Sequence, residues 1–254
     1  MSDPDPSGEI DLLPEDLARE VAGLAHRARA ANGPVMKALN AMGGRVEAWA
    51  AKLPAPAREV LDKGAARILA SLFDGAANTQ KIMPDAGAWG HRFAAAASGA
   101  VGGSAGLASA VVELPATVML MFGAMLKVAA ENGFDPDSEE VRLTCIDIFG
   151  SGGPGTEDDG VNTTFLGSRM SVNGATLQAV ITRVSPAFSA MLGKQLAGKA
   201  VPILGAVAGA GINYSFMSYY EDVARVRFGL KRLALEHGRT RVGHAFRAEM
   251  ARQA

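Results

Sequence analysis

Apolar residues recur along this chain at the spacing of α-helices. After the acidic residues 15–16, Leu17, Val21 and Leu24 follow one another at intervals of three and four residues, which places them on one face of a helix. No segment sustains the alternation of apolar and polar residues that is typical of a half-buried strand, and aromatic residues make up only 6% of the chain. The pattern predicts an all-α protein, a single domain of several helices.

Proline and glycine mark the ends of the predicted helices. Gly33-Pro34 ends the first helix, and Asn132-Gly133 ends a long apolar segment. Residues 135–138 then open a short helix that runs through Phe149, and Ser185-Pro186 opens a later one. We expect helices over about 14–32, 34–52, 57–73, 89–131 (a hairpin), 138–149, 161–184, 185–199, 200–220 and 221–237.

A long run of residues, 93–126, contains only one charged side chain, Glu113. The run is long enough to cross a bilayer, but it is rich in alanine and glycine, which gain little from contact with lipid. Its glycines at a four-residue spacing form a glycine zipper that lets helix backbones approach closely, and Pro115 costs the helix a hydrogen bond. We predict a close-packed, kinked hairpin that packs against a second uncharged stretch, 200–220. The alternative is a segment that inserts into the membrane.

Glu113 is the first candidate for a functional side chain, because a carboxylate among apolar neighbours is costly to bury without a partner. One interpretation is structural: the carboxylate pairs with Arg142, Lys194 or Lys199. In a variant of this interpretation it caps a helix that begins at Pro115. The other interpretation is functional: the carboxylate accepts a proton, or binds a polar group, inside a cavity. The sequence leaves these interpretations open.

Charge is balanced over the whole chain but not along it. Lys and Arg total 25 against 26 Asp and Glu, which gives no argument for a nucleic-acid partner, and we expect none. From residue 223 onward, eight basic residues stand against only two acids. This asymmetry favours contact with anionic lipid, although a solvated helix face is the alternative. The residues that we expect to face the membrane are Arg225, Arg227, Lys231 and Arg232.

The cysteine content and the first residues of the chain indicate the cellular compartment of the protein. Cys145 is the only cysteine, which excludes an intrachain disulfide and a cysteine-based zinc site. The first residues are acidic and rich in proline, unlike a secretory signal. We expect a cytoplasmic protein, or one on the cytoplasmic face of a membrane, with no cofactor and no metal ion.

Two glycine-rich motifs match enzyme signatures without the structural context that these signatures require. Residues 102–106 fit G-x-S-x-G, the turn that exposes a nucleophilic serine, here Ser104, but the residues before it are poor strand formers. Residues 150–155 fit G-x-G-x-x-G, but three acids follow where a phosphate-binding helix would begin. An enzyme, a lipid-directed hydrolase that uses Glu113 or Ser104, is therefore the alternative and not the main expectation.

Several elements in a fixed order resemble the EcsC protein family. A glycine-rich run leads to Glu113-Leu114-Pro115, where the family usually has Asp-Leu-Pro, and Asn132-Gly133-Phe134-Asp135 follows. A later element runs from Lys199 through a Pro-Ile-Leu-Gly-Ala sequence to Asn213. The resemblance covers about residues 73–235, and it implies a helical, membrane-associated bacterial protein. It implies no substrate, cofactor or catalytic residue.

These patterns together predict four parts of the chain and its function. We expect a disordered leader at 1–13, N-terminal helices at 14–73, an EcsC-like helical domain at 74–238 and a basic polar tail at 239–254. The expected function is peripheral association with membranes or the binding of a lipid or lipid-like ligand, with a membrane protein as a further partner. The candidate functional or buried polar residues are Glu113, Arg142, Lys199 and Asn213.

Overall fold

The structure is a computed structural model that describes residues 14–31, 63–74, 107–150, 176–199 and 205–252, with side chains at 14–31, 63–74, 117–150, 176–192 and 213–252. These residues form seven α-helices and contain no strand, so the all-α prediction is confirmed. The helices are α1 (Glu15–Ala31), α2 (63–74), α3 (Leu107–Glu131), α4 (Glu139–Phe149), α5 (Leu177–Lys199), α6 (Gly205–His237) and α7 (Arg239–Arg252).

Helix α3 lies at the centre of the fold. From residue 117 to residue 129 nearly every side chain is buried, and Met119 is the one large apolar side chain of this stretch that is exposed. A helix that is apolar on all sides must be covered on all sides, and α4, α5 and α6 cover it here. The second half of the long uncharged run therefore builds the core of the protein. No helix in the described parts of the chain is long and apolar enough to cross a membrane.

Helices α3 and α6 run in the same direction. Glu131, at the end of α3, accepts a hydrogen bond of 2.7 Å from Arg225 of α6. Earlier on α3, Phe122 stacks on Phe149, and Phe149 in turn contacts Tyr220, which precedes Arg225 on α6. Because residue numbers rise together at these two contacts, the two helices are parallel.

Helices α4 and α5 run in the opposite direction to α6. Lys231 of α6 contacts Glu140 near the start of α4, whereas Tyr220 of α6 contacts Phe149 at the end of α4. On α5, Arg183 shares Asp147 with Arg227 of α6, whereas Phe188 shares Phe149 with Tyr220. Residue numbers therefore rise along α5 as they fall along α6. The short helix α4 ends at Phe149, so the aromatic contacts stand at its last turn.

The connection between α3 and α4 is fixed by local hydrogen bonds at both of its ends. Gly133 has φ of 81°, and the N–H groups of Gly133 and Phe134 donate to the carbonyl groups of Ala130 and Ala129, which completes a Schellman motif. At the start of α4, the Ser138 hydroxyl accepts a hydrogen bond from the N–H of Val141. The predicted end at Asn132-Gly133 and the predicted start at residues 135–138 are both confirmed.

Replacing Ser138 by alanine is expected to destabilise the protein by about 1 kcal/mol, because the first turn of α4 loses its side-chain acceptor. The measurement is the midpoint of chemical unfolding. The matched control is Ser71→Ala, since the Ser71 hydroxyl only donates to the Ile68 carbonyl within an exposed part of α2. Equal effects of the two substitutions would contradict the assigned cap.

Three predicted helix boundaries are wrong. Helix α5 begins at Leu177 and continues through Pro186, whose ring is exposed, so that water can bond to the carbonyl group that this proline leaves unpaired. Helix α3 likewise continues through Pro115, where a helix start was one of the alternatives. Helix α6 crosses the predicted boundary at 220–221, because the change from uncharged to charged sequence marks a change of neighbours and not the end of the helix.

The residues expected as a basic polar tail form helix α7. Val242, Ala245 and Phe246 of this helix are buried against α1 and the last turns of α6. The close approach of α1 to α6 occurs at Gly229, where a Cβ atom would stand 2.9 Å from the Leu24 side chain. This second hydrophobic cluster is separate from the core around α3. The predicted leader at 1–13, the helix at 34–52, the glycine zipper at 99–106 and the loop at 151–160 lie outside the described residues.

Candidate functional site

Asp147 is the centre of a buried ion-pair cluster. Its side chain is 1% exposed on the inner face of α4, and its two carboxylate oxygens accept hydrogen bonds from Arg183 of α5 and Arg227 of α6. The Arg227 contact measures 2.5 Å, and this arginine is itself buried, whereas Arg183 reaches the surface. We call Asp147, Arg183 and Arg227 the ion-pair cluster. It ties three helices together through one carboxylate.

The other basic residues of α6 also bind carboxylates of this chain. Arg225 bonds to Glu131 at 2.7 Å and to Glu221 at 3.0 Å. Burial alone would lower the pKa of the Arg225 guanidinium, but its bonds to these two carboxylates raise that pKa above its ordinary value. Lys231 bonds to Glu140 at 2.7 Å and lies 4.8 Å from the centre of the Phe134 ring.

Arg232 completes this set of internally paired bases. It pairs with Glu20 of α1 at 2.5 Å and with Glu236 at 3.1 Å. The orientation of Arg225, Arg227, Lys231 and Arg232 toward a membrane remains a prediction. The geometry weighs against it, because each of the four is already bound to an acid of this chain and Arg227 is only 8% exposed.

A layer of aromatic rings stands next to the ion-pair cluster at the end of α4. The Phe149 ring lies 4.9 Å from Tyr220, 5.2 Å from Phe188 and 6.4 Å from Phe122, measured between ring centroids. Tyr219 adds an edge contact to Tyr220 at 5.2 Å. We call these five residues the aromatic layer. It separates the charged side of the bundle from the side that α4 does not reach.

Buried hydroxyl groups without a hydrogen-bond partner mark the aromatic layer and the side beyond it. Thr117 and Tyr220 are fully buried, and the Ser189 hydroxyl is buried as well. Among the described residues, no donor or acceptor bonds to these three oxygens. Burial raises the pKa of the Tyr220 hydroxyl well above its ordinary value, with a smaller contribution from Tyr219. We call Thr117, Ser189, Asn213 and the Tyr220 hydroxyl the polar layer.

Helix geometry places most of these residues on the same side of the aromatic layer. Thr117 precedes Phe122 by five residues, and Asn213, which is fully buried, precedes Tyr220 by seven. At 1.5 Å per residue these intervals correspond to about 8 Å and about 10 Å along two parallel helices. Ser189 directly follows Phe188 on α5, which runs toward the same side. The residues therefore lie at neighbouring levels of the bundle.

Glu113, the first candidate from the sequence, belongs to the same helix as Thr117. Its side chain lies outside the described residues, but its backbone belongs to α3. Glu113 precedes Thr117 by four residues, and Met121 and Met125 follow at the same interval. Residues four apart share one face of a helix, and Thr117, Met121 and Met125 are all fully buried. The backbone of Glu113 therefore lies one helical turn before Thr117 on α3.

The remaining predicted residues fall at other places. Arg142 of α4 donates a hydrogen bond of 3.1 Å to the Phe73 carbonyl, and its guanidinium lies 4.6 Å from the centre of the Phe73 ring, so it fastens α2 to α4. Lys199 is the last residue of α5, and its side chain lies outside the described residues, as does Ser104. The pairing of Glu113 with Arg142, Lys194 or Lys199 stays a prediction.

Cys145 lies inside the core and has no chemical role that the geometry supports. It is fully buried, and burial raises the pKa of its thiol far above the ordinary value, although Arg227 and Lys231 oppose the shift. Such a thiol does not form a thiolate near neutral pH. Across the described ranges, no group of three or more His, Cys, Asp or Glu side chains could hold a metal ion.

Comparison with known proteins assigns most of this framework to one family. The model of the EcsC protein family matches residues 80–233, which is more than half of the chain. The chain belongs to the EcsC protein family. No curated protein and no solved structure matches it. The EcsC match includes the ion-pair cluster, the aromatic layer and the polar layer, whereas α1, α2 and α7 lie outside it.

Sequence reasoning missed several residues of this EcsC-family framework. Asp147 carried a usable signal, because it stands between Ile146 and Ile148 in an apolar run, the same kind of environment that drew attention to Glu113. Thr117 and Ser189 carried none, since single hydroxyl residues within apolar helices are common and often bond to their own backbone. That no described residue bonds to their hydroxyls is visible only in three dimensions.

Proposed function

We propose that this EcsC-family protein binds a lipid-like molecule between α3, α5 and α6, with the polar group of the ligand at the polar layer. The observation that carries the proposal is the set of buried hydroxyls of Thr117, Ser189 and Tyr220. A buried polar group without a partner costs about 1–3 kcal/mol. Three such groups at neighbouring levels of one bundle are therefore explained best by a bound molecule that supplies hydrogen bonds to them.

The sequence around the polar layer favours a mainly apolar ligand. Neither α3 between Leu114 and Leu126 nor α6 between Gly205 and Tyr220 carries a charged residue. The positive charges of the ion-pair cluster lie on the other side of the aromatic layer and are bound to Asp147. The charge of a strongly charged head group would have no counter-charge in such surroundings. A small head with hydroxyl or ester groups on a long acyl chain fits them, as in a monoacylglycerol.

Removing a single hydroxyl of the polar layer is expected to weaken lipid binding without weakening the fold. In Tyr220→Phe and in Thr117→Val, the loss of one hydrogen bond to a neutral group corresponds to about 1 kcal/mol, or about fivefold in affinity. The measurement is titration with a fluorescent monoacylglycerol, followed by displacement with the unlabelled lipid. Thermal stability without ligand should be unchanged or higher, because an unsatisfied hydroxyl has been removed.

The matched control is Thr144→Val on α4. Its hydroxyl is buried to a similar degree but donates a hydrogen bond of 2.7 Å to the Glu140 carbonyl of its own helix. This variant should bind the labelled lipid as the original protein does. Binding that is absent from the original protein, or that is equal in all three variants, would contradict the proposal. Native mass spectrometry of the purified protein provides a second readout, a mass increase equal to that of a lipid.

A further inference from the structure

An exposed leucine and two exposed arginines lie close together in the sequence, where α6 ends and α7 begins. Leu235 is 74% exposed, the highest value of the large apolar side chains that are exposed in the described part of the chain. Gly238, with φ of 92°, is the single residue between the two helices. Arg239 and Arg241, both exposed, begin α7 immediately after it. We call Leu235, Arg239 and Arg241 the corner.

The arginines of the corner differ from the basic residues of α6. Within the described ranges, neither Arg239 nor Arg241 belongs to an ion pair, whereas Arg225, Arg227, Lys231 and Arg232 all do. The acid nearest to the corner along the chain, Glu236, is shared by Arg232 and His237. Positive charge is therefore available at the start of α7 and not along α6.

The stability of α7 does not account for these two arginines. The first turn of a helix is its positive end, where acids stabilise and bases destabilise the helix. Helix α7 nevertheless begins with Arg239 and Arg241 and has no acid in its first turn. An exposed leucine beside them gains nothing from packing. A positively charged corner with a protruding apolar side chain is complementary to an anionic lipid surface.

The orientation of α7 keeps the corner on the outside. Val242, Ala245 and Phe246 hold one face of the helix against α1 and α6, and Arg239 and Arg241 lie on the two flanks of that face. Arg247, on the outer side of α7, adds a third basic residue that joins no ion pair in the described part of the chain. The one acid of α7, Glu249, has a side chain that is 17% exposed and pairs with Arg252 at 3.9 Å. The outer side of α7 thus presents basic and small residues.

We infer that the protein docks on anionic membranes through this corner, with Leu235 entering the interface and the arginines against the headgroups. The docking surface goes beyond the binding of a lipid inside the bundle and does not depend on it. The interaction surface begins at the last turn of α6 and continues on α7, beyond residue 233, where the EcsC match ends.

Sedimentation with vesicles measures the docking directly. The full chain is expected to bind phosphatidylcholine vesicles that contain phosphatidylglycerol, to bind pure phosphatidylcholine weakly, and to dissociate as salt rises. A basic residue near an anionic surface contributes about fivefold to binding, so Arg239→Gln/Arg241→Gln should bind about 25-fold more weakly. Leu235→Ser should weaken binding without changing its dependence on salt.

Two further variants distinguish docking from folding and from net charge. Arg239→Glu/Arg241→Glu should abolish vesicle binding while the unfolding temperature stays the same or rises, because acids are favourable in the first turn of a helix. Lys63→Gln/Arg67→Gln removes the same charge from exposed positions of α2 and should leave binding unchanged. Equal binding by the corner and α2 variants, or no preference for phosphatidylglycerol, would overturn the inference.

The experiments can contradict the lipid site inside the bundle and the docking surface at the corner independently of each other. Loss of vesicle binding in the corner variants, with the fluorescent monoacylglycerol still bound, supports two independent sites. Vesicle binding that disappears in Tyr220→Phe and persists in the corner variants would overturn the docking surface and leave the lipid site in place.

Discussion

Replacing Asp147 by alanine is expected to destabilise the protein by about 3–5 kcal/mol, the largest effect of any single polar substitution that we predict. The substitution removes the carboxylate that neutralises Arg227, and this arginine stays buried at 8% exposure. An uncompensated charge in the core is far more costly than the original pair. The same substitution also disconnects α4 from α5, because Arg183 loses its partner.

The free energy of unfolding in denaturant measures this effect, and Glu131→Ala is the matched control. Glu131 also pairs with an arginine of α6 at 2.7 Å, but its side chain is 39% exposed, so its pair is expected to contribute no more than about 1 kcal/mol. Asp147→Asn keeps the size of the side chain and should still be clearly destabilising. If Asp147→Ala and Glu131→Ala cost the same, the ion-pair cluster is not a buried anchor.

Replacing Phe149 by alanine is expected to cost about 3–5 kcal/mol, because it removes the ring at the centre of the aromatic layer. Phe149 is fully buried and contacts Phe122, Phe188 and Tyr220, which belong to three different helices. The loss combines the transfer free energy of a ring with the cavity that three rigid neighbours cannot close.

Phe134→Ala provides the comparison for Phe149→Ala. Phe134 is only partly buried and contacts Phe228 and Lys231 at the edge of the core. Its loss should cost less than half as much, since solvent fills the space that it leaves. The near-ultraviolet circular dichroism of Phe149→Ala should also weaken, because the tyrosines of the layer lose a fixed neighbour. A small effect of Phe149→Ala would mean that the layer does not hold the three helices together.

The sequence predicted the class of the fold and the local signals, because these depend on neighbouring residues. The stop at Asn132-Gly133 and the start at Ser138 follow from glycine in the left-handed region and from a capping hydroxyl, and both are visible in four residues. Proline was a poorer guide. At Pro186 and at Pro115 the helices continue although each proline lacks the N–H group of one backbone hydrogen bond.

The pairing of charges could not be predicted, because it depends on residues far apart in the chain. Arg227 meets a carboxylate 80 residues away, and Arg232 meets one 212 residues away. The basic run of α6 resembled a membrane-facing surface in the sequence, and in the fold each of its four bases pairs with an acid of this chain. The contact of these residues with a membrane stays a prediction. The residues with available charge, Arg239 and Arg241, fall in the part of the chain that was expected to be a polar tail and that forms helix α7.

The candidate site was predicted in part. Asn213 was named as a candidate buried polar residue and is fully buried, whereas the role of Glu113 stays a prediction. The hydroxyls of Thr117, Ser189 and Tyr220 were not predicted as part of the site. A hydroxyl becomes informative only when its neighbours are known to offer it no hydrogen bond.

The burial of Cys145 also makes this chain well suited to spectroscopy. The native thiol is fully buried and resists ionisation, so reagents that attack thiolates will leave it unmodified in the folded protein. A cysteine introduced at position 235, where the leucine is 74% exposed, would then be the one thiol that reacts. A nitroxide or a polarity-sensitive dye attached there would report how deeply the corner enters a bilayer, with no need to replace a native residue of the core.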